Sequence, residues 1–132
     1  MKVEFSSFSN SETLNIDVES IADVVLKSTD NIICYVHLDF LQSPANRHVN
    51  IIGEKGRLDW DITSNRVKLI MMDGQESIFS DPEWDRNAMY LDMLREFDTF
   101  LQTNESGSLA TIKDGLSVIK IVNDIKLFSE IS

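Results

Sequence analysis

The sequence predicts an α+β domain, namely a mostly antiparallel, open sheet of about six or seven strands with two C-terminal helices packed on one face. Over the first two thirds of the chain, apolar and polar residues alternate and short turn sequences separate the alternating stretches, as in strands. In the last third, apolar residues recur at spacings of three and four, as in amphipathic helices. We expect residues 1–132 to form a single domain, because 132 residues is an ordinary length for one.

The first strands are predicted from period-two patterns. Residues 2–9 alternate, with Val3, Phe5 and Ser7 predicted on one face. Residues 18–28 fit either a strand or a helix, but the turn sequence at 29–31 favours a hairpin that leads into residues 32–42. On that next strand, one face is wholly apolar (Ile32, Cys34, Val36, Leu38, Phe40) and the other is mixed (Ile33, Tyr35, His37, Asp39, Leu41). The apolar face is predicted to lie beneath the helices, and the mixed face to meet solvent, a ligand or another subunit.

Two further hairpins and two helices complete the predicted domain. Gly53 and Gly56 bracket two polar residues, and Asp-Gly at 73–74 separates two apolar runs, so both places predict tight turns between strands. A helix is predicted over residues 86–102, with Asp81 or Asp85 as its N-cap. A second helix is predicted over residues 111–131, where Thr111 and Asp114 resemble a capping box.

The net charge and the cysteine content limit which partners and which cellular compartment the sequence predicts. The net charge of −10 and the pI of about 4.5 disfavour nucleic acid and anionic membrane surfaces as partners. No apolar run approaches the length of a membrane span. Cys34 is the only cysteine, so no internal disulfide can form, and we expect a cytoplasmic protein with Cys34 as a buried, inert thiol.

The sequence contains no recognisable catalytic or cofactor motif. A Gly-x-Gly-x-x-Gly turn and a phosphate-binding loop are both missing, so no cofactor-binding residue is assigned. His37 and Asp39 share a strand face, so both could contact one metal ion, but zinc sites need three or four protein ligands, and we assign no metal site. No catalytic residue is assigned either. The residues alone therefore indicate a binding or assembly module more than a self-sufficient enzyme.

Five segments, in order, resemble the C-terminal domain of the glucose–fructose oxidoreductase / inositol dehydrogenase / MocA family of NAD(P)-dependent oxidoreductases. Leu-Asp-Phe-Leu-Gln at 38–42 is followed by Pro44, Arg47 and an Ile-x-Gly-x-x-Gly-x-Leu-x-Trp-Asp pattern at 51–61. The other segments are the earlier Asp-Val-Glu run (Asp17, Val18, Glu19, Ala22, Leu26), the first helix (Asn87, Tyr90, Phe97) and the start of the last helix (Gly115, Leu116).

The resemblance implies a parent enzyme whose N-terminal Rossmann domain binds NAD or NADP. Its C-terminal domain would present an open sheet to a sugar or cyclitol substrate, and often to a partner subunit. The family's catalytic motifs are missing from this chain, so we expect it to be the substrate-side part, and it stays open whether it is a fragment of a longer protein or a natural short one. The sequence also leaves open which sugar or cyclitol is the substrate and whether the cofactor is NAD or NADP.

The mixed face of the central strand supplies the candidate substrate-binding residues. The alternative interpretation is that these residues are ordinary solvated side chains and a turn. Sugar sites need hydrogen-bond donors and acceptors in a fixed array. We also expect a homodimer through this sheet face. The alternative function is a stand-alone, sheet-mediated ligand-binding or assembly module without redox activity. The candidate substrate-binding residues are Asp39, Gln42 and Arg47, with His37 and Tyr35 behind them.

Overall fold

A computed structural model describes residues 1–81, 83–105 and 107–131. In these residues, seven strands precede two helices. The predicted α+β fold class is confirmed. All neighbouring strands pair in antiparallel fashion. The elements are β1 (Lys2–Ser9), β2 (Ile21–Lys27), β3 (Ile33–Asp39), β4 (His48–Gly53), β5 (Gly56–Asp61), β6 (Arg66–Met71), β7 (Glu76–Ser80), α1 (Arg86–Thr103) and α2 (Ile112–Ile131).

The strands form two sheets, one of three strands in the order β1-β2-β3 and one of four in the order β4-β5-β6-β7. The sheets belong to two structural units. The first unit contains Met1–Gln42 and Ser108–Ser132, and the second contains Ser43–Gly107. The first unit therefore combines the three-stranded sheet with α2, and the second combines the four-stranded sheet with α1.

The β2–β3 hairpin is set by the turn that Ser28 organises. The Ser28 hydroxyl accepts hydrogen bonds from the backbone N–H groups of Asp30 (3.2 Å) and Ile32 (3.0 Å), and Asn31 adopts a left-handed conformation with φ of 63°. Asparagine tolerates this conformation better than most residues do. The turn fixes the register, which begins with Lys27 opposite Ile33. The predicted hairpin is confirmed, and the helical alternative for residues 18–28 is wrong.

One side of the three-stranded sheet packs against α2. Val3, Val24 and Leu26 are the buried apolar residues of this small core, and the Ser6 hydroxyl donates to the Ile125 carbonyl of α2 at 3.0 Å. Apolar side chains of α2 and β3 pack around the buried residues: Ile121, Ile125, Phe128, Cys34 and Val36.

The prediction that Val3, Phe5 and Ser7 share one face of β1 is wrong beyond Val3. The pairing of β1 with β2 is irregular between Val3 and Phe5, so Val3 and Ser6 point toward the core while Phe5 and Ser7 pair with residues of the opposite face. An extra residue of this kind reverses the facing of everything that follows it. On β3, only the middle of the predicted apolar stripe is packed, since Ile32, Leu38 and Phe40 are exposed.

The helix ends follow the predicted capping chemistry. Asp85, and not Asp81, is the N-cap of α1, because its carboxylate accepts from the backbone N–H of Asn87 at 3.0 Å. At the start of α2, the Asp114 carboxylate accepts from the backbone N–H of Thr111 at 2.8 Å, and the Thr111 hydroxyl accepts from the Asp114 N–H at 3.3 Å. The predicted capping box is therefore confirmed.

The four-stranded sheet is a meander with two chemically different faces. Residues that pair across β4, β5, β6 and β7 share a face, so the face of each residue follows from the register. We call the side that includes Ile51 the charge-free face and the opposite side the charged face. The charge-free face consists of Val49, Ile51, Gly53, Gly56, Leu58, Trp60, Val67, Leu69, Met71, Ser77 and Phe79.

Gly56 is required by the β4–β5 turn. Its φ of 154° is rarely adopted by residues with side chains, and a Cβ atom there would overlap the backbone carbonyl of Ile70 on β6. We expect Gly56→Ala to lower the free energy of unfolding by about 1–3 kcal/mol, because the turn and β6 would both have to shift.

Gly53→Ala is the matched control, since a Cβ at Gly53 would meet its nearest neighbouring atom at 3.8 Å, an ordinary contact. Its expected effect is within about 1 kcal/mol. Urea unfolding followed by circular dichroism measures both variants. Equal midpoints for the two would show that the close approach of Gly56 to β6 is not present.

Candidate functional site

The candidate site lies on the sheet face that α2 does not cover, where the register brings three polar side chains into one row. On β2 and β3, Asp23 pairs directly with His37, and Ser7 of β1 pairs with Asp23. Asp39 follows His37 by two residues and therefore lies on the same face. We call Asp23, His37, Asp39 and Gln42 the polar cluster.

His37 is held between two carboxylates. Its Nδ1 lies 2.6 Å from Oδ1 of Asp23, and its Nε2 lies 3.0 Å from Oδ2 of Asp39. Ionised carboxylates only accept hydrogen bonds, so both contacts are favourable only when both ring nitrogens carry a proton. The geometry therefore selects the imidazolium form of His37.

Asp39 organises the end of β3. Its Oδ1 accepts from the backbone N–H groups of Leu41 (2.7 Å) and Gln42 (2.8 Å), and its Oδ2 accepts from Nε2 of Gln42 at 2.8 Å. Only 7% of the Asp39 side chain is exposed, against 52% for both His37 and Asp23. Asp39 therefore fixes the position of Gln42, while His37 and Asp23 are accessible from solvent.

These contacts shift two pKa values in opposite directions. The hydrogen bond to Asp23 raises the pKa of His37 above 6.5 despite some loss of hydration, and the charges of Asp23 and Asp39 act in the same direction. Loss of hydration opposes ionisation of Asp39, but the N–H groups of Leu41 and Gln42, the Gln42 amide and His37 together lower its pKa below 3.8.

The structure brings three of the five predicted site residues together. His37, Asp39 and Gln42 form one hydrogen-bonded group. Tyr35 lies on the same face, opposite Val25, with 80% of its surface exposed. Arg47 belongs to the second unit, where its backbone carbonyl accepts from the N–H of Ile62 at 3.0 Å. Its membership of the site stays a prediction.

Asp23 is the member of the polar cluster that was not predicted as a site residue. The signal for it is present in the sequence, because the turn at 28–32 fixes the register of the β2–β3 hairpin. Counting outward from the Lys27–Ile33 pair places Asp23 opposite His37. A position-by-position analysis of single strands does not reveal this pair, since the two residues are 14 positions apart.

The helix N-termini of the chain do not suit a dinucleotide phosphate. The Asp85 carboxylate occupies the start of α1, and the Asp114 carboxylate occupies the first turn of α2. A phosphate group needs those backbone N–H groups for itself and is repelled by a carboxylate beside them. Neither helix start therefore offers free backbone N–H groups to the phosphates of NAD or NADP.

Among residues 1–81, 83–105 and 107–131, no group of three or more histidine, cysteine, aspartate or glutamate side chains is arranged to hold a metal ion. Within the same ranges, no helix is both long enough and apolar enough to span a membrane. No protein-family model, curated protein or solved structure matches this chain. Function is therefore inferred from the site and from the sequence motifs.

The polar cluster makes the stability of the first unit depend on pH. A raised pKa of His37 stabilises the fold fully below about 6.5, and this stabilisation is lost as the pH rises through the pKa of the folded protein. The lowered pKa of Asp39 stabilises the fold above about 3.8, and this is lost as the pH falls. Both contributions to stability are therefore present between about pH 3.8 and pH 6.5.

We therefore expect His37→Gln to destabilise the chain more at pH 5.5 than at pH 8.5. Urea midpoints of the variant and the wild type across this range measure the difference. His48→Gln, in the second unit, gives the baseline for removing a histidine elsewhere. A wild-type advantage over His37→Gln that is constant across the range would contradict the assignment.

Proposed function

We propose that this chain is the substrate-binding part of an NAD(P)-dependent oxidoreductase that acts on a sugar or cyclitol. The observation that carries the proposal is the polar cluster, which presents an ordered array of donors and acceptors on an exposed sheet face. Three of its members lie in or just before the Leu-Asp-Phe-Leu-Gln segment that resembles the oxidoreductase family. The single thiol, Cys34, suits a cytoplasmic location.

The chemistry of the polar cluster suits a polyhydroxylated ligand. Asp23 contacts His37 through one oxygen and is half exposed, so its carboxylate can also accept from a hydroxyl group. Gln42 is held by Asp39, so its amide is oriented before a ligand arrives. Ordered groups bind with a smaller entropic cost than mobile ones. Hydride transfer itself would take place on a nucleotide held by another domain of the parent.

Binding to this chain alone tests the substrate class. Titration with glucose and with myo-inositol, followed by backbone amide chemical shifts, should move signals of Asp23 and of residues 35–42. Asp23→Asn and Gln42→Ala should each weaken binding about tenfold, the effect of losing one hydrogen bond worth about 1.4 kcal/mol. Arg47→Ala tests whether the second unit contributes.

Asp61→Asn is the matched control, because Asp61 accepts from the Thr63 and Ser64 N–H groups at the end of β5 as Asp39 does at the end of β3. It should leave binding unchanged. Calorimetric titration with NAD and NADP should show no binding to this chain. The proposal would be contradicted by sugar-induced shifts that exclude both Asp23 and residues 35–42, or by micromolar nucleotide binding.

We also propose a homodimer through the same sheet face. The register places Val25 directly between Phe5 and Tyr35, so an apolar row crosses all three strands next to the polar cluster. Phe5, Ile33 and Tyr35 are exposed, and Ile21 and Val25 lie on the same face. Leu41, which follows β3, is exposed as well. Burial of this row against a second copy would remove it from water.

Multi-angle light scattering at tens of micromolar tests this dimer. The wild type should have a mass above the 15.0 kDa of one chain, and Tyr35→Glu should halve that mass, because a charge is placed in the apolar row. Leu38→Glu, at an exposed position on the opposite face of β3, should leave the mass unchanged. Identical masses for wild type and Tyr35→Glu would rule out this contact.

A further inference from the structure

The polar cluster carries negative charge that the chain does not compensate. Asp23 and Asp39 are carboxylates and His37 between them is an imidazolium, so two negative charges face one positive charge. Both ring N–H groups of His37 are already donated to these carboxylates, so the ring has no donor left for another group. One negative charge therefore remains on a carboxylate of the exposed sheet face.

The two carboxylates differ in how well the chain satisfies them. Asp39 accepts from His37, from two backbone N–H groups and from the Gln42 amide, and 7% of its side chain is exposed. The Asp23 side chain is 52% exposed, and among the described residues its hydrogen-bond donor is His37, which contacts Oδ1. The uncompensated charge therefore lies on Asp23, whose Oδ2 is left to accept from a ligand.

On the described part of this sheet face, the lysines lie at the end away from the polar cluster. The register places Lys2 opposite Lys27, and Lys27 is four residues, about 13 Å, from Asp23 along β2. Lys2 also pairs with Glu4 at 3.0 Å. An anionic ligand group at Asp23 would therefore meet a like charge without an unpaired cation beside it.

We infer, on the basis of the proposed function, that the polar cluster takes a sugar or cyclitol that carries an amino group, with the ammonium group held by Asp23. An ammonium group has three N–H donors and no acceptor. It therefore matches a site whose imidazolium N–H groups are already donated and whose half-exposed carboxylate needs a donor. Charge-assisted hydrogen bonds are about twice as strong as neutral ones, which favours the amino compound over its hydroxyl counterpart.

The hydroxyl groups of such a ligand have partners close to Asp23. The exposed Ser7 lies opposite Asp23 on β1, and the row Ser7, Asp23 and His37 crosses three strands, a width of about 10 Å. The Gln42 amide is held by Asp39 through its nitrogen, so its carbonyl oxygen is an oriented acceptor. The polar cluster can therefore contact a polyhydroxylated amine through more groups than a simple amine.

Sugars that differ at one substituent test this charge selection by calorimetric titration of the whole chain. At pH 6.0, where the amine is protonated, glucosamine should bind about fivefold more tightly than glucose. N-acetylglucosamine, whose nitrogen is an uncharged amide, should bind no more tightly than glucose, and glucose 6-phosphate should bind more weakly. Ethylamine, an ammonium group without hydroxyl groups, should bind more weakly than glucosamine. Added salt should reduce the advantage of glucosamine and leave glucose binding unchanged, because salt screens charges at an exposed site.

Two substitutions in the polar cluster should change the preference for glucosamine in opposite directions. Asp23→Asn removes the negative charge, so glucosamine and glucose should bind with equal affinity. His37→Gln removes the positive charge, so the preference should rise above that of the wild type, with circular dichroism at pH 6.0 confirming that each variant is folded. Asp61→Asn removes one charge in the second unit and should keep the wild-type preference, which separates the effect of Asp23 from attraction by the net charge of −10.

The results that would overturn the inference differ from those that would reject the proposed function. Equal binding of glucosamine and glucose to the wild type, or tighter binding of glucose 6-phosphate, would overturn the inference and leave sugar binding intact. Equal loss of the preference in Asp61→Asn and Asp23→Asn would also overturn it, as would ethylamine binding as tightly as glucosamine. Absence of binding by every one of these sugars would reject both the inference and the proposed function.

Discussion

The register of the β2–β3 hairpin is the constraint on which the candidate site depends. Ser28 and Asn31 fix the turn, and every pair along the two strands follows from it. The register places Asp23 against His37 and Val25 against Tyr35. A shift of one residue would send Asp23 to the core side of the sheet. The polar cluster and the neighbouring apolar row are thus two consequences of a single turn.

The two units differ in which faces of their sheets are covered. In the first, α2 covers one face, and the exposed face combines the polar cluster with the apolar row of Phe5, Val25 and Tyr35. In the second, charge is confined to one face of the meander, and α1 keeps apolar side chains such as Leu94 and Phe97 at least half exposed.

Local patterns predicted the elements well and their packing less well. Period-two alternation, the Gly53–Gly56 and Asp73–Gly74 turns, and the caps at Asp85 and Thr111 were all visible in the sequence because their causes are local. The irregularity after Val3 was not visible in the sequence, because it depends on how β1 pairs with β2. Asp23 was missed as a site residue for the same reason. The division into two sheets also depends on long-range hydrogen bonding, which no single segment encodes.

His37 is an imidazolium that donates hydrogen bonds to both Asp23 and Asp39. A long-range ¹H–¹⁵N spectrum of the histidine rings at pH 6.5, where an ordinary histidine is half protonated, tests it most directly. If the two carboxylates hold the imidazolium, most His37 rings have both Nδ1 and Nε2 protonated at this pH, and Asp23→Asn reduces this fraction. A His37 ring that is half protonated or less, and unaffected by Asp23→Asn, would show that the carboxylates do not stabilise the charged ring.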